Sequence, residues 1–180
     1  GQRRKLMPTM MKLMWRMNKS AKFYEKPLQA PSTSLAEDKR REIEEQARAL
    51  GATDIRYVRL TDDCLLGGLG VPHRYAMVYT VEMGKEALDS APSFECFHEV
   101  AKGYLRLATI GNHIAERLRK EGVAAYPGTA LGGLTDYCRV AEKAGLGTIG
   151  YHGCLISKTS GAILRINTIY VSAEDLPFED

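Results

Sequence analysis

The sequence predicts an α/β fold, an α+β sandwich in which helices flank a mixed sheet. Three observations carry this prediction. At 180 residues, 44% apolar and 26% charged, the chain can bury one sizeable core but is short for two. A long stretch near the middle keeps apolar and small residues at steps of three and four, the signature of one helix face. Around it, β-branched runs and helical runs follow one another as helix, strand, strand, helix, strand, helix, hairpin. No internal repeat is visible.

Taken in order, residues 6–17 place Leu6, Met7, Met10, Met11, Met14 and Met17 at helical spacing beside Trp15, with Pro8 suited to a first turn. Residues 27–34 read as a linker, so 1–33 form an arm and 34–180 the domain. A second helix is expected from Ser34, with Glu37 completing a capping box, to Leu50 before Gly51. Asp54–Leu60 and Tyr75–Val81 read as strands, separated by a glycine-rich loop at Leu66–Pro72. The longest helix runs from Ser93 to Lys120 and ends at Gly122. Its stripe is Phe97, Val100, Ala101, Tyr104, Ala108, Gly111, Ala115 and Leu118. Val123–Tyr126 reads as a strand and residues 127–134 as a loop. Thr135 and Asp136 cap a short helix ending at Ala144 before Gly145. His152–Ser157 and Ala162–Ser172 read as strands joined in a hairpin by Lys158–Gly161. The chain opens on Gly1 and stops on an acidic run with no closing element, which reads as part of a longer protein.

The net charge of +3 is too small to argue for nucleic acid, but its distribution is uneven. Residues 1–26 hold eight Lys or Arg against Glu25 alone, leaving seventeen bases and twenty-one acids in the remainder. A Met-rich helix with a basic face packs back on its domain or on a sister subunit, since methionine fills loose contacts. The alternative is a membrane-surface or partner-docking helix. No run is long enough to span a bilayer and no secretory leader is recognisable. Cys64, Cys96, Cys138 and Cys154 are too far apart in sequence to ligate zinc or an iron–sulfur cluster by spacing alone. Four reduced thiols fit a cytoplasmic protein.

Gly145-Leu-Gly-Thr-Ile-Gly150 spells the dinucleotide-binding pattern in the wrong context. That site needs a strand before the glycines and a helix after them, and here the order is reversed. The segment reads as a tight helix-to-strand corner, or as bare backbone that a flat ligand can approach. His73, His98, His113 and His152 show no metal-binding spacing. His152 lies in the glycine turn beside Tyr151, where an imidazole could reach a ligand. Tyr104 belongs to an apolar stripe, yet a phenol facing a cavity can donate a proton.

Ala141-Glu-Lys-Ala-Gly-Leu-Gly-Thr-Ile-Gly150, followed by Leu155-Ile-Ser157, resembles a segment of the cobalamin-dependent iron–sulfur reductases, the reductive dehalogenases and epoxyqueuosine reductases. The order of blocks is also similar to that of the dehalogenases: Arg74–Met83, Ala91–Ser93, Lys102-Gly-Tyr104, Arg119–Ala125, and Arg165 to Pro177. The resemblance covers roughly residues 40–180. It implies a nitroreductase-like core holding a corrinoid over its sheet, and a ferredoxin-like module with two four-iron clusters outside this segment. It also implies catalytic roles for Tyr104 and Tyr151, and a cofactor lining of Gly145, Leu146, Gly147, Gly150, His152, Ser157 and Thr129. Two positions depart from the pattern. Tyr151 stands where the reductases carry Lys or Arg, and Leu131 stands where the epoxyqueuosine enzymes have an acid, which argues against tRNA-modifying chemistry.

The expected function is therefore the corrinoid-binding domain of an iron–sulfur oxidoreductase acting on a small molecule, with tyrosines as proton donors. The alternatives are a non-catalytic cobalamin-handling module and an electron-transfer protein that has lost the corrinoid. The expected partners are a substrate and a ferredoxin-like module or other electron donor. A homodimer and a peripheral membrane contact through 1–26 stay open.

Overall fold

β-Branched and aromatic runs that alternate faces need cover on both sides, and among the described residues four helices supply it. The computed structural model describes residues 1–67, 70–83, 89, 92–128, 135–149, 155–157 and 163–179. The helices are α1 (Gln2–Glu25), α2 (Glu37–Ala49), α3 (Phe94–Lys120) and α4 (Tyr137–Lys143), with a 3₁₀ turn at Asp62–Cys64. The strands are β1 (Asp54–Arg59), β2 (Tyr75–Glu82), β3 (Ala125–Pro127), β4 (Gly147–Ile149), β5 (Leu155–Ser157), β6 (Leu164–Val171) and β7 (Phe178–Glu179). Five of them form one sheet in the order β3-β6-β2-β1-β7, while β4 and β5 pair separately. β2 runs antiparallel to β6 from Tyr75↔Val171 to Glu82↔Leu164, and β1 runs antiparallel to β2. β7 lies parallel to β1, which makes the sheet mixed as expected.

Period-two alternation divides the side chains between two cores. Met77, Tyr79 and Val81 of β2 pack with Leu107, Ile110 and Ile114 of α3 and Ile43 and Ala47 of α2. Ala76 and Val78 join Leu164, Ile166 and Tyr170 of β6 on the other face, under Val140 and Ala141 of α4 and against Leu146 and Leu155. Each fully buried Leu or Ile contributes about 1.5–3 kcal/mol of transfer free energy, so both faces stabilise the sheet. Small residues on α3 bring it close to the strands. At Gly111 a Cβ would sit 2.7 Å from the Tyr79 hydroxyl and 3.1 Å from the Asn167 amide nitrogen.

The long helix keeps its expected limits: Ser93 Oγ accepts the Cys96 N–H at 3.1 Å, and Gly122 adopts φ +80° just after the last turn. α1 extends well beyond residues 6–17, with Pro8 in its first half, and lies alongside α3 in a parallel sense. Thr9 Oγ1 meets His98 Nε2 at 3.1 Å, Ser20 Oγ donates to Asn112 Oδ1 at 3.2 Å, and Arg119 donates to the Phe23 carbonyl at 2.7 Å.

Several boundaries differ from the sequence reading. α2 begins at Glu37 with Ala36 as its cap residue and no side-chain cap bond, so Ser34 and Glu37 form no capping box. The Ser34 N–H is taken instead by Ser32 Oγ, and Asp175 accepts the Leu35 N–H at 3.1 Å. Asp136 alone caps α4, accepting from Cys138 and Arg139 N–H, because the Thr135 hydroxyl bonds Tyr170. The glycine corner enters a strand, β4, which pairs with β5; between β5 and the β6 region only the Ile156↔Ile163 bridge is described, not the full hairpin expected there. The acidic end does contain a closing element, β7, recruited by the free edge of β1.

Candidate functional site

The strand directions bring the glycine motif and Tyr104 to one end of the sheet, where β2 finishes and β6 begins. A chain of contacts links them. Gly147 is in register with Ser157, Ile156 bridges Ile163, and the Met83 N–H donates to the Ile163 carbonyl at 3.3 Å. Arg165 Nε then reaches Met83 Sδ at 2.8 Å, and the Arg165 guanidinium lies over the Tyr104 ring, 5.1 Å from its centroid. Tyr104 is half-buried and packs its ring against the α2–α3 core. Arg165 has no carboxylate partner among the described residues.

The motif residues have local reasons for their identities. Gly145 ends α4 at φ +75°, a conformation that favours glycine. Gly147 is bare because a Cβ there would run into the Ile156 carbonyl oxygen. Leu146 is a core residue between them, and Ser157 is buried opposite Gly147. The corner alone accounts for Gly145, Leu146 and Gly147. Gly150, Tyr151, His152 and Thr129 lie outside the described residues, so of the two tyrosines only Tyr104 is placed.

A second polar cluster, unforeseen in the sequence, lies beside Gly128 at the end of β3. The Tyr79 hydroxyl donates to the Leu107 carbonyl at 2.5 Å and accepts from Asn167 Nδ2 at 2.8 Å. Asn167 Oδ1 accepts the Thr168 N–H, and the Gly128 N–H donates to the Thr168 carbonyl at 2.7 Å. A Cβ at Gly128 would collide with the Tyr137 hydroxyl and stand 2.9 Å from Asn167 Oδ1. Thr135 Oγ1 and the Tyr170 hydroxyl are 2.9 Å apart. Burial, foremost, raises the Tyr79 and Tyr137 phenols above their ordinary value, and nearby Tyr170 raises Tyr137 further. They therefore hold protons and carry no charge. Among the described residues, Thr168 Oγ1 is buried with no partner. The signal for this cluster was the Asn167-Thr168 pair inside an apolar strand, which burial makes informative.

Among the described residues no group of three His, Cys, Asp or Glu side chains could hold a metal ion. Cys64, Cys96 and Cys138 form no disulfide among the described residues. No helix among the described residues is long and apolar enough to cross a membrane.

The resemblance read from the glycine motif agrees with the proteins this chain is similar to in sequence and in fold. The chain is 33% identical over 108 residues to a tetrachloroethene reductive dehalogenase of Dehalobacter restrictus, covering 60% of this chain and 19% of that protein. Its fold matches a solved reductive dehalogenase, described for B12-dependent dehalogenation, with a TM-score of 0.67 at 21% identity over 91% of this chain and 24% of that one. An epoxyqueuosine reductase aligns with a TM-score of 0.50 at 14% identity over 75% of this chain and 46% of that one. No family model matches. The chain spans about a fifth of the length of the curated relatives it matches.

Proposed function

We propose that this chain is the corrinoid-binding part of an iron–sulfur reductase of the reductive dehalogenase kind. The observation that carries the reading is the agreement of the glycine-motif resemblance with a dehalogenase fold over 91% of the chain. The donor set fits such a group. A corrinoid is a macrocycle rimmed with amides, and this end of the sheet offers a phenol and a guanidinium without a carboxylate partner among the described residues. When bound, a reduced corrinoid supplies the electrons that cleave a carbon–halogen bond.

The net change in such a reaction is the arrival of two electrons and one proton, and the replacement of carbon–halogen by carbon–hydrogen with release of halide. Tyr104 is the residue that holds the proton at its hydroxyl. Arg165, stacked on the ring, holds the ring in place. The family resemblance also gives Tyr151 a share of the donor role and adds Thr129, Gly150 and His152, outside the described residues, to the cofactor lining with Ser157 and the Gly145–Gly147 corner. The electrons come from a ferredoxin-like module or another donor.

An anaerobic absorbance titration with cob(II)alamin tests the binding reading. A saturable change to the base-off spectrum is the expected result, and no change with folded protein would sink it. For the tyrosine, Tyr104→Phe is expected to keep corrinoid binding and thermal stability within about 0.5 kcal/mol while turnover of an organohalide falls at least about 100-fold. Unchanged turnover would remove Tyr104 from the chemistry.

A further inference from the structure

We propose that the outer face of α1 docks on an anionic lipid bilayer, with the helix lying in the plane of the headgroups. This is independent of the corrinoid reading. Met7, Met11, Met14 and Trp15 follow at steps of four, three and one, which sets them on a single stripe of the helix. They are 64%, 65%, 61% and 58% exposed. The opposite face is already used, because Leu13 and Ser20 are buried there. The outer methionines and the tryptophan are therefore largely left to solvent.

Charge selects the occupant. Arg4, Lys5, Lys12 and Lys22 surround the stripe, exposed and without a carboxylate partner among the described residues. Arg16 and Lys19 bracket the Trp15 ring at 4.8 and 5.5 Å. The single acid of α1 is Glu25, its last residue. A second copy meeting this face across a two-fold axis would set cations against cations. An anionic bilayer satisfies both features, taking the apolar stripe at the acyl boundary, Trp15 at the interface and the cations among lipid phosphates. The remainder of the chain, with seventeen bases and twenty-one acids, is repelled by the same surface and so points away from it.

Trp15 is the sole tryptophan, so its emission reports on this face directly. The test is sedimentation and fluorescence of the whole chain with phosphatidylcholine vesicles, with and without phosphatidylserine. Binding and a blue shift are expected with the mixed vesicles alone, weakening as salt is added. Met11→Ser with Met14→Ser should abolish the shift, and Lys12→Glu with Lys22→Glu should weaken binding about tenfold or more. Both pairs are at exposed positions, and unchanged thermal melts confirm their folding. The proposal is overturned by no binding to mixed vesicles or by variants that bind equally well. A lipid-free, concentration-dependent blue shift would make a second copy the occupant and overturn it too. So would loss of binding in a longer protein containing this chain, since the face would then be covered from within.

Discussion

The two ends of the sheet are built on opposite principles. At the end where β6 finishes, small hydroxyls and one arginine tie irregular backbone to regular backbone. Ser172 Oγ accepts the Ala124 N–H at 2.9 Å and donates to the Ser32 carbonyl at 2.7 Å, the Ser32 N–H reaches Gly122, and the Glu174 N–H reaches Thr33. Arg119 donates to the carbonyls of Phe23, Lys26 and Ala125 and lies about 5 Å from the Phe23 and Tyr126 rings. At the end where β6 begins, the corresponding arginine, Arg165, meets a thioether and a phenol ring. One arginine satisfies carbonyls and closes the fold; the other, among the described residues, touches only a thioether and a ring. The two arginines differ in what they touch, although both are partly exposed.

That contrast can be broken most severely at Arg119. Arg119→Met should cost about 3 kcal/mol, since it strips charged donors from three carbonyls, and should lower Tm by about 6–12 °C; a loss under about 1 kcal/mol in urea would show that the closed end is held otherwise. Gly111→Ala comes next, at about 2 kcal/mol, because its Cβ pushes the Tyr79 hydroxyl off the Leu107 carbonyl. In a Tyr79→Phe background that cost should shrink by half or more, and a double-mutant cycle reads the coupling. Asp136→Ala sharpens the site side of the comparison, with about 1 kcal/mol lost from α4 by chemical denaturation.

The smallest effect is a pH dependence. Burial, foremost, pushes His113 and His73 below the usual imidazole value, so the unfolded chain binds their protons more readily. The stability they contribute is complete above the unfolded value of about 6.5 and is lost as pH falls from there through their lower folded values. Melts taken at stepwise lower pH should therefore show Tm declining. His113→Gln should flatten part of the slope while keeping a polar partner for Gln46, which bonds His113 at 2.8 Å. A slope unchanged by that substitution would assign the decline elsewhere.

Much of this architecture was legible wherever a local signal decided the structure. Ser93 and Gly122 delimit α3 because a cap and a left-handed glycine act within one turn. Ser34 misled because its neighbours had a tertiary alternative: Asp175, distant in sequence, supplies the acceptor that a local cap would have provided. β7 carries too little pattern in two residues to be read at all, and it exists because β1 has an open edge. For the candidate site, helical spacing placed Tyr104 on α3 and the glycine motif predicted the Gly145–Gly147 corner. Neither could show that Arg165 lies over Tyr104, or that Tyr79, Tyr137 and Asn167 converge on Gly128, since those contacts depend on strand register across the sheet.

The parallel pairing of α1 with α3 has a consequence for the order of assembly. Two neighbouring helices can pair in parallel only if the chain returns to its starting end between them. Here the contacts Thr9–His98, Ser20–Asn112 and Phe23–Arg119 span 89, 92 and 96 residues. Closing so long a loop costs chain entropy before any contact offsets it. β1, β2 and α3 must therefore be in place before α1 has a surface to receive it, which makes α1 late to dock and early to peel away.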